Sequence, residues 1–361
     1  MALPFQHGSP LRVVAIGGGT GLSTLLRGLK RFVAPPQSAQ AISTAARDNP
    51  WRSPAPASRI RELSAVVTVT DDGGSSGRLR EDLNILPPGD VRNCLVALSE
   101  DETLLSQLFQ HRFSTGDLQG HSFGNLFLAA LTEMRGDFAQ AVQTSSQILA
   151  TRGRIYPATT TNATLAAHME DGTLVRGETR ISASNSRIVE LMLEPDICDP
   201  LPETLEAIAE ADLITLGPGS LYTSVISNLL VRGIPEALAA SRATRIYVCN
   251  LMTQANESLG LTASQHIEKI LQHAGGHQIL DYALVNTGNI RHGTLAKYAA
   301  EGQAPIDADL ARVRDLGVEP ITGNFVHEGE VLRHSYDAVA DAVVELAQMR
   351  TDGILARASN G

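Results

Sequence analysis

Apolar residues along the chain fall into short β-branched runs that alternate with helical patterns. Residues 12–16, 65–69, 212–216, 245–249 and 282–286 are mostly apolar runs of strand length. Runs of that kind read as strands covered on both faces. In residues 24–32, Leu25, Leu26 and Leu29 recur at helical spacing, and residues 126–134, 137–149, 202–209, 235–241 and 262–273 also read as helices. Asp90 is placed to cap a helix that runs to about residue 113. Residues 334–349 carry Val339, Val343, Leu346 and Met349 on one face. The alternation predicts an α/β fold with a doubly wound, mostly parallel sheet.

Some stretches break the alternation. Residues 154–194 hold short alternating runs (164–168, 173–176, 187–193) with Asp171-Gly172 as a hairpin turn, which reads as a β-rich excursion. Residues 33–61 are rich in Pro, Ala, Ser and Arg and hold the only tryptophan, Trp51. They read as a disordered insertion in a nucleotide-binding domain spanning 12–325. Residues 1–11 read as a flexible tail, residues 321–332 as hairpin-like, and 326–361 as a C-terminal helix packing on the core.

The chain has 361 residues, of which 43% are hydrophobic, so a large core is within reach. A formal charge of −10 argues against nucleic-acid or anionic-membrane binding, since either needs a basic face. Cys94, Cys198 and Cys249 lack metal-type spacing, which fits a reducing compartment. The first ten residues carry no charged-then-apolar leader and no run is long enough to span a bilayer, so a cytoplasmic protein is expected.

Chemistry concentrates at predicted strand ends, which in an open α/β sheet border the ligand crevice. Residues 70–80 read Thr-Asp-Asp-Gly-Gly-Ser-Ser-Gly-Arg-Leu-Arg. Gly74, Ser75 and Ser76 offer unobstructed backbone donors to a phosphate, and Arg78 or Arg80 offers a bidentate contact. Asp71 or Asp72 suits a ribose hydroxyl or a metal. A solvated surface loop is the alternative. Gly17, Gly18, Gly19, Thr20 and Gly21 precede a helix, where amides and dipole reach a phosphate, although Leu22 replaces the third glycine of a dinucleotide fingerprint. Gly217, Gly219 and Ser220, with Thr223 and Ser224 behind them, form a similar turn. Arg92 and Asn93 lie in the first turn after Asp90. His121, Ser122 and Asn125 open another helix, with no third group to complete a hydrolytic triad. Asn250, Thr253 and Gln254 follow the strand at 245–249. Together these ends describe one donor-rich cleft for a nucleotide.

Six strings in order, GGGTGLS, TDDGGSSGRLR, PPGDVRNCL, GHSFGNL, LGPGSLYTS and CNLMTQ, resemble those of the gluconeogenesis factor (YvcK-like) family. That family is related to 2-phospho-L-lactate transferase within a CofD-like superfamily. The resemblance covers roughly residues 12–300. It implies a Rossmann-like three-layer fold and a cytoplasmic protein that binds a nucleotide sugar such as UDP-N-acetylglucosamine and supports cell shape during gluconeogenic growth. The transferase branch implies transfer of phospholactate from a guanylyl-activated donor to a deazaflavin, with magnesium and with Asp71 or Asp72 as catalytic groups. By motif, Gly17 to Gly21, Gly217, Gly219 and Ser220 would hold phosphates. Arg92, Asn93, His121 and Asn125 would line the cleft, and Asn250, Thr253 and Gln254 would close it. Homo-oligomerisation is left open. The chain departs from the pattern at the 33–61 insertion, at Ala255-Asn256 in place of Pro-Gly, at Leu261 where an aromatic is expected, and at Lys297 where an arginine is expected.

Overall fold

The computed structural model describes residues 9–34, 58–100, 104–255 and 257–358. In chain order the strands are β1 (Leu11–Gly17), β2 (Ile60–Val67), β3 (Arg154–Pro157), β4 (Thr164–Met169), β5 (Leu174–Arg176), β6 (Ile188–Glu194), β7 (Leu213–Leu216), β8 (Thr244–Val248), β9 (Tyr282–Asn286), β10 (Glu319–Gly323), β11 (Val326–Glu328) and β12 (Leu332–His334). Seven of them form one parallel sheet in the order β10-β9-β8-β7-β1-β2-β3. Strands β5-β4-β6 make a small antiparallel sheet, and β11 and β12 make a hairpin.

Alternate residues of the parallel strands feed two cores. Val14, Ile16, Ile214 and Leu216 face one side, which is covered by the helices Pro202–Glu210, Ile234–Ala240 and Ala263–His273 and by the small sheet. Val13, Ala15, Leu213 and Val248 face the other, covered by the helices Gly19–Lys30, Gly89–Leu98, Phe138–Ile148 and Tyr336–Ala358. This is a three-layer, doubly wound α/β fold. The chain winds outward from β1 to β3, then crosses back to β7 and winds the other way to β10. The strand order therefore reverses between β1 and β7, and that is where an open α/β sheet leaves a crevice at its carboxyl edge.

Several local expectations change. The helix expected over 24–32 starts at Gly19, so the glycine turn is itself the first helical turn. The Gly/Ser loop after Asp72 is likewise helical, over Gly74–Leu83. The helix expected from Asp90 to about residue 113 ends at Leu98 and a second runs over Leu104–Gln110. Ser99 breaks it: its backbone is extended, its hydroxyl donates to the Leu149 carbonyl at 3.1 Å, and its own carbonyl accepts from Lys30 Nζ at 3.0 Å.

At the chain's ends and at the insertion, other boundaries move. Leu11 belongs to β1 and not to the tail, and Ile60 and Arg61 belong to β2 and not to the insertion. Within those two predicted segments, residues 1–8 and 35–57, with Trp51, lie outside the described residues. Ile321 sits in β10, paired with Leu284 in the main sheet, so the hairpin is confined to β11 and β12. His334 ends β12 and the last helix begins at Tyr336, with Val339 and Val343 buried but Met349 largely exposed. All three cysteines are free and buried. Among the described residues no helix is long and apolar enough to cross a membrane.

The amino edge of the sheet is tied by Arg245, which donates to Asp281 through Nε at 3.1 Å and Nη2 at 2.8 Å, while Arg350 of the last helix reaches the same carboxylate at 2.8 Å. Removing one member of a largely buried pair leaves the other charge unsatisfied. Asp281→Ala is expected to lower the unfolding free energy by about 3 kcal/mol in urea denaturation.

Candidate functional site

A cavity of about 510 Å³ opens at the carboxyl edge of the sheet, over the β1–β7 switch. One wall is two glycine loops in contact. Gly217 N–H donates to the Ile16 carbonyl at 2.9 Å, and a Cβ on Gly21 would lie 2.2 Å from the Pro218 carbonyl oxygen. No side chain fits there, so the wall presents main chain. Thr20 and Gly21 lie in the first turn of the helix Gly19–Lys30, where N–H groups have no helical acceptor. Gly18, Gly19, Gly219, Ser220 and Ser224 line the same wall. Across from it stand Asn250 and Gln254; Gln254 Nε2 donates to Ser220 Oγ at 3.0 Å, and Asn250 Nδ2 donates to Gln254 Oε1 at 3.3 Å.

The other side is acidic: Asp71, Asp90 and Glu178 all line the cavity. Asp71 Oδ1 accepts the Gly73 N–H at 2.9 Å. Burial, and then the charge of Asp71, push the Asp90 carboxyl up to about 7, against the pull of the Gly19 N–H and Arg92. Burial, and then Asp71, Asp90 and Glu257, push Glu178 up to about 9, which leaves it protonated at neutral pH and able to donate. The third side is the β11–β12 hairpin with Leu332, Arg333 and His334, joined by Tyr298 and Gln303. His334 Nε2 donates to the Cys249 carbonyl at 3.0 Å. Burial holds its pKa down to about 4, so it is neutral at pH 7.

Of the residues singled out in the sequence, Gly18, Gly19, Thr20, Gly21, Asp71, Asp90, Gly219, Ser220, Ser224, Asn250 and Gln254 come together around this cavity. Gly17 and Gly217 sit behind it in the sheet ladder. A second set forms a network of its own beside the cavity. Ser75 Oγ and His121 Nδ1 are 3.1 Å apart, Asn125 Nδ2 donates to Ser75 and Ser76 at 3.2 and 3.5 Å, and Arg92 donates to Ser122 Oγ at 2.6 Å and Asn93 Oδ1 at 2.7 Å. That network joins the helices Gly74–Leu83, Gly89–Leu98 and Phe123–Arg135 and does not line the cavity. Gly74 opens the first of these helices, and Arg78 donates to the Gln119 carbonyl at 2.8 Å.

Asp72 turns away from Asp71: its Oδ1 accepts the Thr179 N–H at 2.8 Å and hydroxyl at 2.6 Å. Thr253 is spent on Ala304, and the Thr223 N–H on Glu257.

Glu257 is a residue the sequence reading missed. Its Oε1 accepts the N–H groups of Tyr222 and Thr223 at 2.8 and 2.9 Å, so the start of the π-wound turn Leu221–Ile226 already holds a carboxylate of this chain. Glu178, Tyr298 and Arg333 were also missed. They come from elements far apart in sequence and carry no local motif. Neither of the two departing positions, Leu261 and Lys297, lines the cavity. Leu261 packs on the core, and Lys297 donates to the Glu330 carbonyl at 3.0 Å.

Residues 13–326 match the family described as 2-phospho-L-lactate transferase CofD. The chain belongs to the CofD family. It is 48% identical over 335 residues to a gluconeogenesis factor of Halalkalibacterium halodurans, covering 92% of this chain and 95% of the relative. It is 44% identical over 341 residues to a gluconeogenesis factor of Bacillus subtilis, covering 94% and 99%. A crystal structure of a UPF0052 family protein from Bacillus halodurans superposes with a TM-score of 0.84 at 46% identity, over 93% of this chain and all of that one.

A carboxyl that ionises near 3.8 in the unfolded chain and near 7 in this CofD-family fold binds a proton on folding between those values. Stability therefore falls as pH rises from about 4 to about 7 and stays lowered above that. Asp90→Asn keeps an acceptor for the Gly19 N–H and removes the titration. In urea denaturation its advantage over wild type should grow from pH 4 to pH 8; an advantage independent of pH would refute the assignment.

Proposed function

We propose that this chain binds a nucleotide sugar of the UDP-N-acetylglucosamine type and acts in the cytoplasm as a regulator of cell shape and of growth on gluconeogenic carbon. The observation that carries the binding reading is the pair of glycine loops meeting at the β1–β7 switch over a cavity of about 510 Å³. Unpaired N–H groups at a helix start, aided by the helix dipole, suit a diphosphate. Arg333 adds a cation facing the same space. The acidic side suits a hydroxyl-rich sugar, because Glu178 donates while Asp71 accepts. The regulatory part of the reading is supported by the relatives described as gluconeogenesis factors, which match nearly the whole chain.

A second reading, transfer of a phospholactyl group with magnesium, is favoured by the family description itself. The residues do not fit the metal that reading expects. Asp71 faces the cavity but Asp72 is bonded to Thr179, and among the described residues no three His, Cys, Asp or Glu side chains are arranged to hold a metal ion.

Titration calorimetry separates the two readings. Wild type should bind UDP-N-acetylglucosamine and show no magnesium-dependent binding of GDP; the reverse pattern would favour the transferase. Gly219→Asp places a carboxylate on the phosphate wall, where even a Cβ lies 3.0 Å from Ser224 Cβ. It should weaken the UDP-sugar by about a hundredfold, from charge repulsion and lost space, with the melting temperature recorded as a control for folding.

Affinity should also depend on pH. Diphosphate charge beside Asp90 favours its protonated form, so binding takes up a proton near neutrality. The UDP-sugar should bind more tightly at pH 6 than at pH 8, and Asp90→Asn should flatten that dependence.

A further inference from the structure

A second cavity, of about 300 Å³, adjoins the first and shares Asn250 and Leu251 with it. It lies beyond the carboxyl ends of β8 and β9, beside the loop 287–290. Its chemistry is unlike that of its neighbour. The first cavity carries Asp71, Asp90, Glu178 and Arg333; among the described residues that line the second, none is charged. Val285, Leu295 and Ile306 give apolar walls, and the exposed Thr287 and Asn289 give a polar rim.

The loop beside it is held in shape. Asn286 Nδ2 donates to the Gly288 carbonyl at 3.1 Å, and its Oδ1 accepts the N–H groups of Gly288 at 3.3 Å and Phe325 at 3.0 Å. A Cβ on Gly288 would lie 2.3 Å from Asn324 Oδ1 and 2.9 Å from Asn324 Cα, so glycine alone lets the loop close against the segment after β10.

We propose that this second cavity is the nucleobase subsite of the nucleotide site. The ligand then lies along the sheet edge with its base beside β9, its diphosphate on the glycine loops of β1 and β7, and its sugar toward Asp71, Asp90 and Glu178. The assignment rests on the nucleotide reading above and gives that ligand a direction. A nucleoside diphosphate sugar has one uncharged part with two apolar faces and a polar edge, which is the base. Apolar walls receive the faces, and a hydroxyl and an amide at the rim supply both donors and acceptors to the edge. Phosphate is disfavoured there, since no side chain lining the cavity is a cation. A hexose is disfavoured because hydroxyls against Val285, Leu295 and Ile306 would be desolvated without partners.

Photocrosslinking tests the direction. Irradiating the full chain with bound 5-iodo-UDP should label the peptide covering residues 285–306. Labelling confined to residues 17–24 or 71–90 would overturn the subsite while leaving nucleotide binding established. Ile290→Trp, which fills the cavity, should weaken UDP-N-acetylglucosamine by about tenfold or more and leave inorganic pyrophosphate binding unchanged. Thr287→Trp repeats the test from an exposed position if Ile290→Trp lowers the melting temperature. Unchanged UDP-sugar affinity in both variants overturns the subsite. Failure of the wild-type protein to bind any nucleotide overturns the parent reading and this one with it.

Discussion

The site depends on how closely two backbones approach. Gly21 touches the carbonyl of Pro218, and a single added carbon would overlap it. That contact exists because β1 and β7 are neighbours in the sheet while their following loops turn to opposite faces. The sheet brings the loops together, and the absence of side chains lets them stay together. The product is a wall of peptide groups, fixed by the core on both sides. A wall of that kind needs no reorganisation to meet an anion.

The same edge is crowded with carboxylates. Asp90 sits on the amide of Gly19, and Glu257 on the amides of Tyr222 and Thr223, so two helix starts are satisfied from within the chain. At Leu221 the internal carboxylate takes the place a phosphate would have. At Gly19 it takes only the first amide and leaves Thr20 and Gly21 facing the cavity. Like charges that share one partly buried cavity cannot all stay ionised away from water. Raising Asp90 to about 7 and Glu178 to about 9 relieves that conflict by protonation. On the reading proposed here, the acid side can meet both a diphosphate and a sugar because its charge is adjustable near neutral pH.

Much of this was legible before any coordinates. A buried strand, a glycine turn and a helix read directly as cavity-lining units at Gly18–Gly21 and at Gly219, because the signal is local and physical. Asp71 was legible as a group at a strand end; which of two adjacent aspartates faces inward was not, because neighbouring side chains diverge by a backbone rotation that the sequence does not record. Glu178, Tyr298 and Arg333 reach the cavity from the β-rich excursion, a helix and the β11–β12 hairpin. Only tertiary packing brings them together, so no spacing rule finds them. Ser99 carries no local signal as a helix breaker, because its break is made by partners remote in sequence, Leu149 and Lys30.

The division of Asp71 from Asp72 changes what the acidic motif is for. As a pair they would suit a metal or a proton relay. In the fold, Asp72 accepts two hydrogen bonds from Thr179, and Thr179 immediately follows Glu178 at the start of a short helix. Asp72 thereby anchors the β-rich excursion to the loop after β2 and sets where Glu178 enters the cavity. One carboxylate of the motif faces the cavity, and its neighbour positions a third carboxylate there from the short helix Glu178–Ala183. The excursion is then part of the site's architecture, and the acidic motif acts through placement as much as through charge.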